Sequence, residues 1–205
     1  MDYYITPIVA RGHRILQPVG ALRFDAGSLS LNLLATVGRR YGEPLERLDS
    51  PARLRDWLHG VGLPLSASLS EDDLARLREL REHLNELFRS MLASRRPRRA
   101  AVAYVNAVAA TAAPELRSTR SGVALALSNS GPLDPILALI ASDAIRILAG
   151  SDRLDLRVCA ADDCRMLYLA SGRRARRWCS SERCGNRSRV AAHRARAAAR
   201  AGKGR

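Results

Sequence analysis

The chain has 205 residues, 47% of them hydrophobic and 4% aromatic, and its 34 basic against 20 acidic side chains leave a net charge of +14. No apolar run approaches the ~18 residues needed to cross a bilayer, and Met1-Asp2-Tyr3-Tyr4 lacks the positive flank and apolar stretch of a secretory signal. A cytoplasmic protein with reduced thiols and no membrane partner is therefore expected, long enough for one full core plus a small satellite.

The basic excess is unevenly placed. Residues 1–150 hold 19 basic and 15 acidic side chains, whereas residues 151–205 hold 15 and 5. Two domains are expected, 1–150 and 151–205, the second drawn to a polyanion. Nucleic acid is the first choice of polyanion and an anionic lipid surface the second. Every basic residue except Lys203 is arginine, so a biased codon pool is the competing account.

Along the chain, Ser28 to Tyr41 reads as a Ser-capped apolar helix ending near Gly42, before a turn at Glu43-Pro44. Ser50-Pro51 starts a second helix, with Ser as N-cap and Pro in the first turn. Leu54, Trp57, Leu58 and Val61 form its apolar stripe, and Gly60 and Gly62 stop it. The clearest helix runs from Ser70 to Ser94, where Glu71, Asp72 and Asp73 complement the dipole of the first turn. Leu74, Leu77, Leu80, Leu84, Leu87, Phe88, Met91 and Leu92 recur at helical spacing as a core-facing stripe. Arg76, Glu79, Glu82 and Glu86 opposite them read as a solvated face.

After the run Arg95 to Arg99, residues 101–113 form a small-residue helix ended by Pro114. Leu116 to Ser128 alternates, with Val123, Leu125 and Leu127 on one side, and is the best strand or hairpin candidate. Pro135 opens a further helix carrying Ile136, Leu139, Ile140, Ala144, Ile147 and Leu148, closed by Gly150. The fold class is thus a mainly α N-terminal domain with a small β-hairpin, followed by a small α+β module of β-hairpin plus basic helix.

All four cysteines lie within 26 residues, as Cys159-x4-Cys164, fourteen residues, then Cys179-x4-Cys184. Two such pairs supply the four soft ligands of one tetrahedral zinc ion. Met166 to Leu169 is a strand, and the fourteen-residue spacer suits a β-hairpin. Ser180-Ser181 can cap a helix whose first turn holds Cys184, and a helix N-terminus favours thiolate. A redox disulfide switch and unligated thiols are the alternatives. Structural zinc is preferred because the segment has too little apolar surface to fold without it. Catalytic zinc is not expected, since four sulfurs leave no open position.

Cys184-Gly185-Asn186-Arg187, preceded by Arg176-Arg177-Trp178-Cys179, resembles the CGNR zinc-finger family of bacterial proteins. In that family the finger follows a mostly helical N-terminal domain called ABATE, associated with stress-induced transcription regulation. Leu31 to Thr36, the Ser50-Pro51 to Leu58 helix and the Leu-rich helix after Ser70 extend the resemblance over nearly the whole chain. It implies a zinc-finger transcription regulator. The chain departs from the family pattern at Leu31-Asn32-Leu33-Leu34-Ala35-Thr36, where relatives read L-D-F-x-N-T, and at Leu169-Ala170, where an Asp-Thr pair is common. The metal ligands are untouched.

On a helix from Ser181 to about Arg200, Cys184, Ser188, Ala191, Ala195 and Ala198 share a narrow face that should look toward the zinc module. Arg189, His193, Arg196 and Arg200 fall on the opposite face and are the preferred polyanion contacts. Arg183, Arg187 and Arg194 form a lateral row, in which Arg187 either touches phosphate or braces the module. Arg173, Arg174, Arg176 and Arg177 add a second basic edge. Such rows supply phosphate affinity and not sequence readout. Tyr168 and Trp178 are too few aromatics for a reader of single-stranded RNA, and Trp178 reads as packing. Double-stranded DNA is the expected partner, with a sensing or dimerising N-terminal domain whose effector is undefined. The alternatives are a protein-interaction module docking on an acidic partner and an RNA- or ribosome-associated factor. An enzyme is not expected: His13, His59, His83 and His193 are scattered, and no nucleophile motif or phosphate-cradling glycine loop appears.

Overall fold

The computed structural model describes residues 21–112, 114–120, 122–127, 133–170 and 176–202. His13 and Ser128 lie outside the described residues. In chain order the elements are α1 (Leu29–Leu34), β1 (Val37–Gly38), β2 (Leu45–Glu46), α2 (Pro51–Gly60), α3 (Glu71–Leu92) and α4 (Arg99–Ala109). They continue with β3 (Pro114–Thr119), β4 (Gly122–Leu127), α5 (Asp134–Ala149), β5 (Leu156–Val158), β6 (Leu167–Leu169) and α6 (Asn186–Gly202). Among the described residues the strands pair as three antiparallel hairpins, β1–β2, β3–β4 and β5–β6. The expected fold class is the observed one.

Helix boundaries follow local chemistry. Ser70 Oγ accepts the Asp73 N–H at 3.1 Å and the Asp73 carboxylate accepts the Ser70 N–H at 2.9 Å, closing a reciprocal capping box at the start of α3. Ser50 Oγ caps α2 through the Arg53 N–H at 3.3 Å, with Pro51 in the first turn. Leu74, Leu77, Leu80, Leu84 and Phe88 are fully buried, and each such side chain contributes about 1.5–3 kcal/mol. Helices α3, α4 and α5 pack on one another, and α1 touches both α3 and α5. Asp143 of α5 holds the start of α1, accepting from Ser30 N at 2.9 Å and Ser30 Oγ at 2.6 Å.

Two expectations need correction here. The helix expected over Ser28 to Tyr41 is capped by Ser28 but stops at Leu34. Thr36 turns its hydroxyl onto the Leu33 carbonyl at 2.6 Å, competing with the helical ladder, and Val37 and Gly38 pair with Glu46 and Leu45 instead. The charged side of α3 is also less solvated than its pattern implies. Arg76 pairs with Asp134 of α5, Glu79 hydrogen-bonds Tyr104 of α4, Glu82 pairs with Arg40 and Glu86 accepts the Arg98 N–H at 2.8 Å, so all four residues tie α3 to neighbouring segments.

A buried charge lies inside the helical layer. Arg81 of α3 is 4% exposed, and its guanidinium bonds both Glu46 carboxylate oxygens at 2.8 and 2.6 Å and Thr36 Oγ1 at 2.9 Å. Burial alone would raise the Glu46 pKa, but the hydrogen bond and charge of Arg81 outweigh it and hold the carboxyl below its ordinary value.

The hydrophobic core is continuous across Gly150. Leu156, Leu167 and Tyr168 belong to the same buried cluster as Leu31, Leu84 and Ile140. The Leu169 N–H of β6 donates to Ala26 O at 2.8 Å, just ahead of α1. At Gly27, φ is +97°, and a Cβ there would lie 3.0 Å from Leu169 Cβ, so both the backbone and the close approach call for glycine. On the other flank Arg89 Nη2 of α3 donates to Arg165 O at 2.5 Å. Among the described residues, no helix is long and apolar enough to cross a membrane.

Candidate metal centre

Strands β5 and β6 pair in the register Leu156↔Leu169, Arg157↔Tyr168 and Val158↔Leu167, which brings Cys159 to the end of β5. The hairpin continues past the strands, with Cys159 N–H donating to Met166 O at 2.8 Å. Between them the chain reverses tightly. Cys164 and Arg165 both donate their N–H groups to Ala161 O, at 2.9 and 3.1 Å, and Arg165 takes a left-handed φ of 50°. The strand expected at Met166 to Leu169 is therefore present, but it pairs backward around the first cysteine pair and not within the fourteen-residue spacer. The physical reason is the Cys159-x4-Cys164 turn, which already folds β6 onto β5.

The second pair is organised by a helix start. Ser180 Oγ accepts the Arg183 N–H at 3.3 Å, and Gly185 N–H reaches back to Ser180 O at 3.0 Å. That bond spans five residues, so Ser181–Gly185 is a widened π-type turn, which carries the buried Cys184 inward before α6 begins. Ala160 N–H donates to Arg177 O at 2.9 Å and ties the two halves together.

The four Sγ atoms lie within 4.8 Å of one another. Cys179 Sγ is 3.7 Å from Cys164 Sγ and 3.6 Å from Cys184 Sγ. A zinc ion with Zn–S bonds of about 2.3 Å has a tetrahedral S···S edge of about 3.8 Å, so the spacing fits that ion. Cys159 and Cys179 are fully buried and Cys184 is 2% exposed. Hydrogen bonds from the Cys164, Cys179 and Cys184 thiols push Cys159 strongly down, while their bonds to Cys159 push Cys179 and Cys184 up. Four thiolates this close together require a divalent cation to hold them. Soft donors, tetrahedral spacing and closure define a single structural zinc site, whose chemistry when loaded is to crosslink the hairpin to the start of α6.

Two guanidiniums reach the sulfurs. Arg23, 6% exposed, places Nη1 3.4 Å from Cys179 Sγ while Nε and Nη2 grip the Asp25 carboxylate at 3.1 and 2.8 Å. Burial lowers the Arg23 pKa, but Asp25 and then Cys179 reverse that and raise it. From the opposite side Arg187 Nη2 lies 3.4 Å from Cys184 Sγ and 3.1 Å from Asp163 Oδ1. Of the two roles open to Arg187, the brace is the one with partners.

The remaining basic residues divide by environment. Arg176 is half-buried, donates to Leu169 O at 3.2 Å and stacks over Tyr168. Tyr168 is fully buried, with its hydroxyl donating to Arg176 O, so it offers no face to a base. Arg177 is exposed over the Trp178 ring, and Trp178 packs against the core as expected. Arg189, His193, Arg194 and Arg196 are exposed on α6, with Arg189 Nη2 also donating to Ser181 O at 3.3 Å. Arg173 and Arg174 lie outside the described residues, and Arg200 is described by its backbone alone. Of the face of α6 expected to look toward the zinc module, Cys184 is buried and Ser188 half-buried, but Ala191, Ala195 and Ala198 are exposed, so the face packs only at its start.

Sequence reasoning missed Arg23 and Arg81. Arg81 carries a signal: it lies four residues after Leu77 and three before Leu84, on the apolar stripe itself. Arg23 carries none, since its partner Cys179 is far away in the chain.

A helical domain whose core runs into a closed four-cysteine finger and an acid-free basic helix defines a zinc-binding regulatory protein. The ABATE family, described as "Putative stress-induced transcription regulator", matches residues 27–151, and the CGNR zinc finger matches residues 155–197. The chain belongs to the ABATE family and carries a CGNR zinc finger after that domain. Neither is an enzyme family. A search of curated proteins found no match.

Proposed function

We propose that this protein is a zinc-dependent, DNA-binding transcription regulator in which α6 is the DNA-contacting element. The observation that carries the reading is α6 itself. Its 17 residues include no acid, and the helix is exposed along its described length from Arg189 to Ala198. At ~1.5 Å per residue it extends ~25 Å, enough to lie along a major groove ~12 Å wide. Arg189, His193, Arg194 and Arg196 supply phosphate contacts, joined at the finger's edge by Arg177. Arg173, Arg174 and Arg200 complete the proposed set from the sequence. The zinc site fixes the direction in which the helix leaves the domain.

The test is binding of the zinc-loaded full chain to random-sequence duplex DNA across a salt series. The full chain is used because the finger shares its core with the N-terminal helices. Log affinity should fall linearly with log salt, with a slope of about −0.9 per phosphate neutralised. No binding at low salt would sink the reading, and structured RNA outcompeting duplex would move it to an RNA-associated factor. Selection from a random DNA pool adds specificity, and an enriched palindrome would favour a homodimer.

A further inference from the structure

We propose that Arg23, contributed by the N-terminal domain, is an outer-coordination residue of the zinc centre, so that metal affinity and the stability of the α1 region are linked. The proposal concerns the metal site and stands apart from DNA binding.

A buried guanidinium is costly unless its donors are satisfied. Arg23 is 6% exposed, and Asp25 occupies only one edge of its fork, through Nε and Nη2. Nη1 is turned inward to Cys179 Sγ at 3.4 Å. The sulfur of a zinc-bound cysteine is a thiolate, and a four-thiolate zinc site has a formal charge of two minus. A cationic donor to that sulfur stabilises the metal-bound form over the thiol. The mirror contact is Arg187 Nη2 to Cys184 Sγ at 3.4 Å. Each cysteine of the second pair therefore accepts from one guanidinium, one on the finger's own helix and one from the other domain.

Arg23 lies three residues ahead of Ala26, which is tied to both β6 and α1. Ala26 accepts the Leu169 N–H at 2.8 Å and donates its own N–H to Asn32 Oδ1 of α1 at 3.0 Å. The backbone that carries Arg23 thus leads into the α1 anchorage, and the bond from its fork to sulfur links that segment to the metal site. By thermodynamic reciprocity, what Arg23 adds to zinc affinity zinc returns as stability of this segment.

The experiment uses the full chain with Arg23→Met, which keeps volume and removes the donors, and Arg23→Lys, which keeps charge and one donor. Chelator competition should show zinc affinity reduced about 10- to 100-fold in Arg23→Met and less in Arg23→Lys. In cobalt-substituted protein, loss of the hydrogen bond raises the sulfur donor level, so the sulfur-to-cobalt charge-transfer band should move to lower energy. The tetrahedral ligand-field bands should remain. An unmoved charge-transfer band in Arg23→Met overturns the proposal, even if affinity falls, because a structural strut alone would not perturb the sulfur. Should Arg23→Met fail to fold, the band is read in Arg23→Gln, which is polar but uncharged and shorter, and an unmoved band there overturns the proposal in the same way.

Discussion

The backbone N–H of Leu169 ends on the carbonyl oxygen of Ala26, 2.8 Å away, while the Leu169 side chain closes over Gly27. A strand of the zinc finger is thereby fastened to the segment that launches the first helix of the ABATE domain. The finger is part of the body of the protein.

Gly27→Ala should weaken it directly. The substitution places a Cβ 3.0 Å from Leu169 Cβ at a φ of +97°, for a cost of about 1–3 kcal/mol. Denaturant unfolding of the zinc-loaded chain reads this, and an unchanged midpoint would refute the close approach.

Zinc removal should lower the stability of the whole chain and not of the finger alone. Structural zinc in small finger peptides is bound by roughly 10–16 kcal/mol at neutral pH. With Leu156, Leu167 and Tyr168 in the common core, part of that energy reaches α1 and α5. Calorimetry of loaded and stripped protein should show one shifted transition. Two separate transitions, with the helical one unmoved, would show the cores to be independent.

The Arg81–Glu46 pair gives a pH dependence with a definite sign. Because Arg81 holds the Glu46 pKa below its free value despite burial, the pair stabilises the fold fully above the unfolded glutamate pKa of ~4.3. That stability is lost as pH falls through the lowered folded value. Glu46→Gln should flatten this part of the acid limb relative to the native chain. Arg81→Met leaves the carboxylate the Arg47 and Leu48 N–H groups, each at 3.0 Å, and Arg78 at 3.9 Å, and with Glu46 33% exposed it should cost about 1.5–3 kcal/mol. Zinc content is to be checked in each sample, since acid also protonates the cysteines.

Charge reversal on α6 separates DNA contact from folding. Arg194→Glu with Arg196→Glu should reduce the salt slope of duplex binding by about 2 and leave zinc content and unfolding unchanged. Arg176→Ala should do the reverse, costing stability by removing the Tyr168 stack and the bond to Leu169 O. An Arg194/Arg196 double variant that binds with native slope would relocate the contact surface.

Local signals were legible in the sequence wherever the physics was local. Ser50-Pro51 and Ser70 with Asp73 mark helix starts because their hydrogen bonds reach only three residues, and the cysteine spacing defines the metal site because each pair is bent by its own turn. The α1 boundary was misplaced because Thr36 and Val37 answer to β2 and Arg81, which the local apolar run does not reveal. The packing of α6 beyond Ser188 differs from its pattern because a periodic face records what could pack, not what is within reach. Arg23 and the Ala26–Leu169 bond were invisible for a related reason, being set by tertiary approach of distant segments.

The continuous core across Gly150 also sets the smallest portable piece of this protein. A finger grafted from it onto another scaffold would leave behind the ceiling that covers Tyr168 and Leu167, and a truncated helical domain would expose the wall on which they rest. Chimeras between relatives should therefore be cut outside the whole unit, and functional divergence is most easily accommodated along α6, where side chains can be exchanged without repacking an interior.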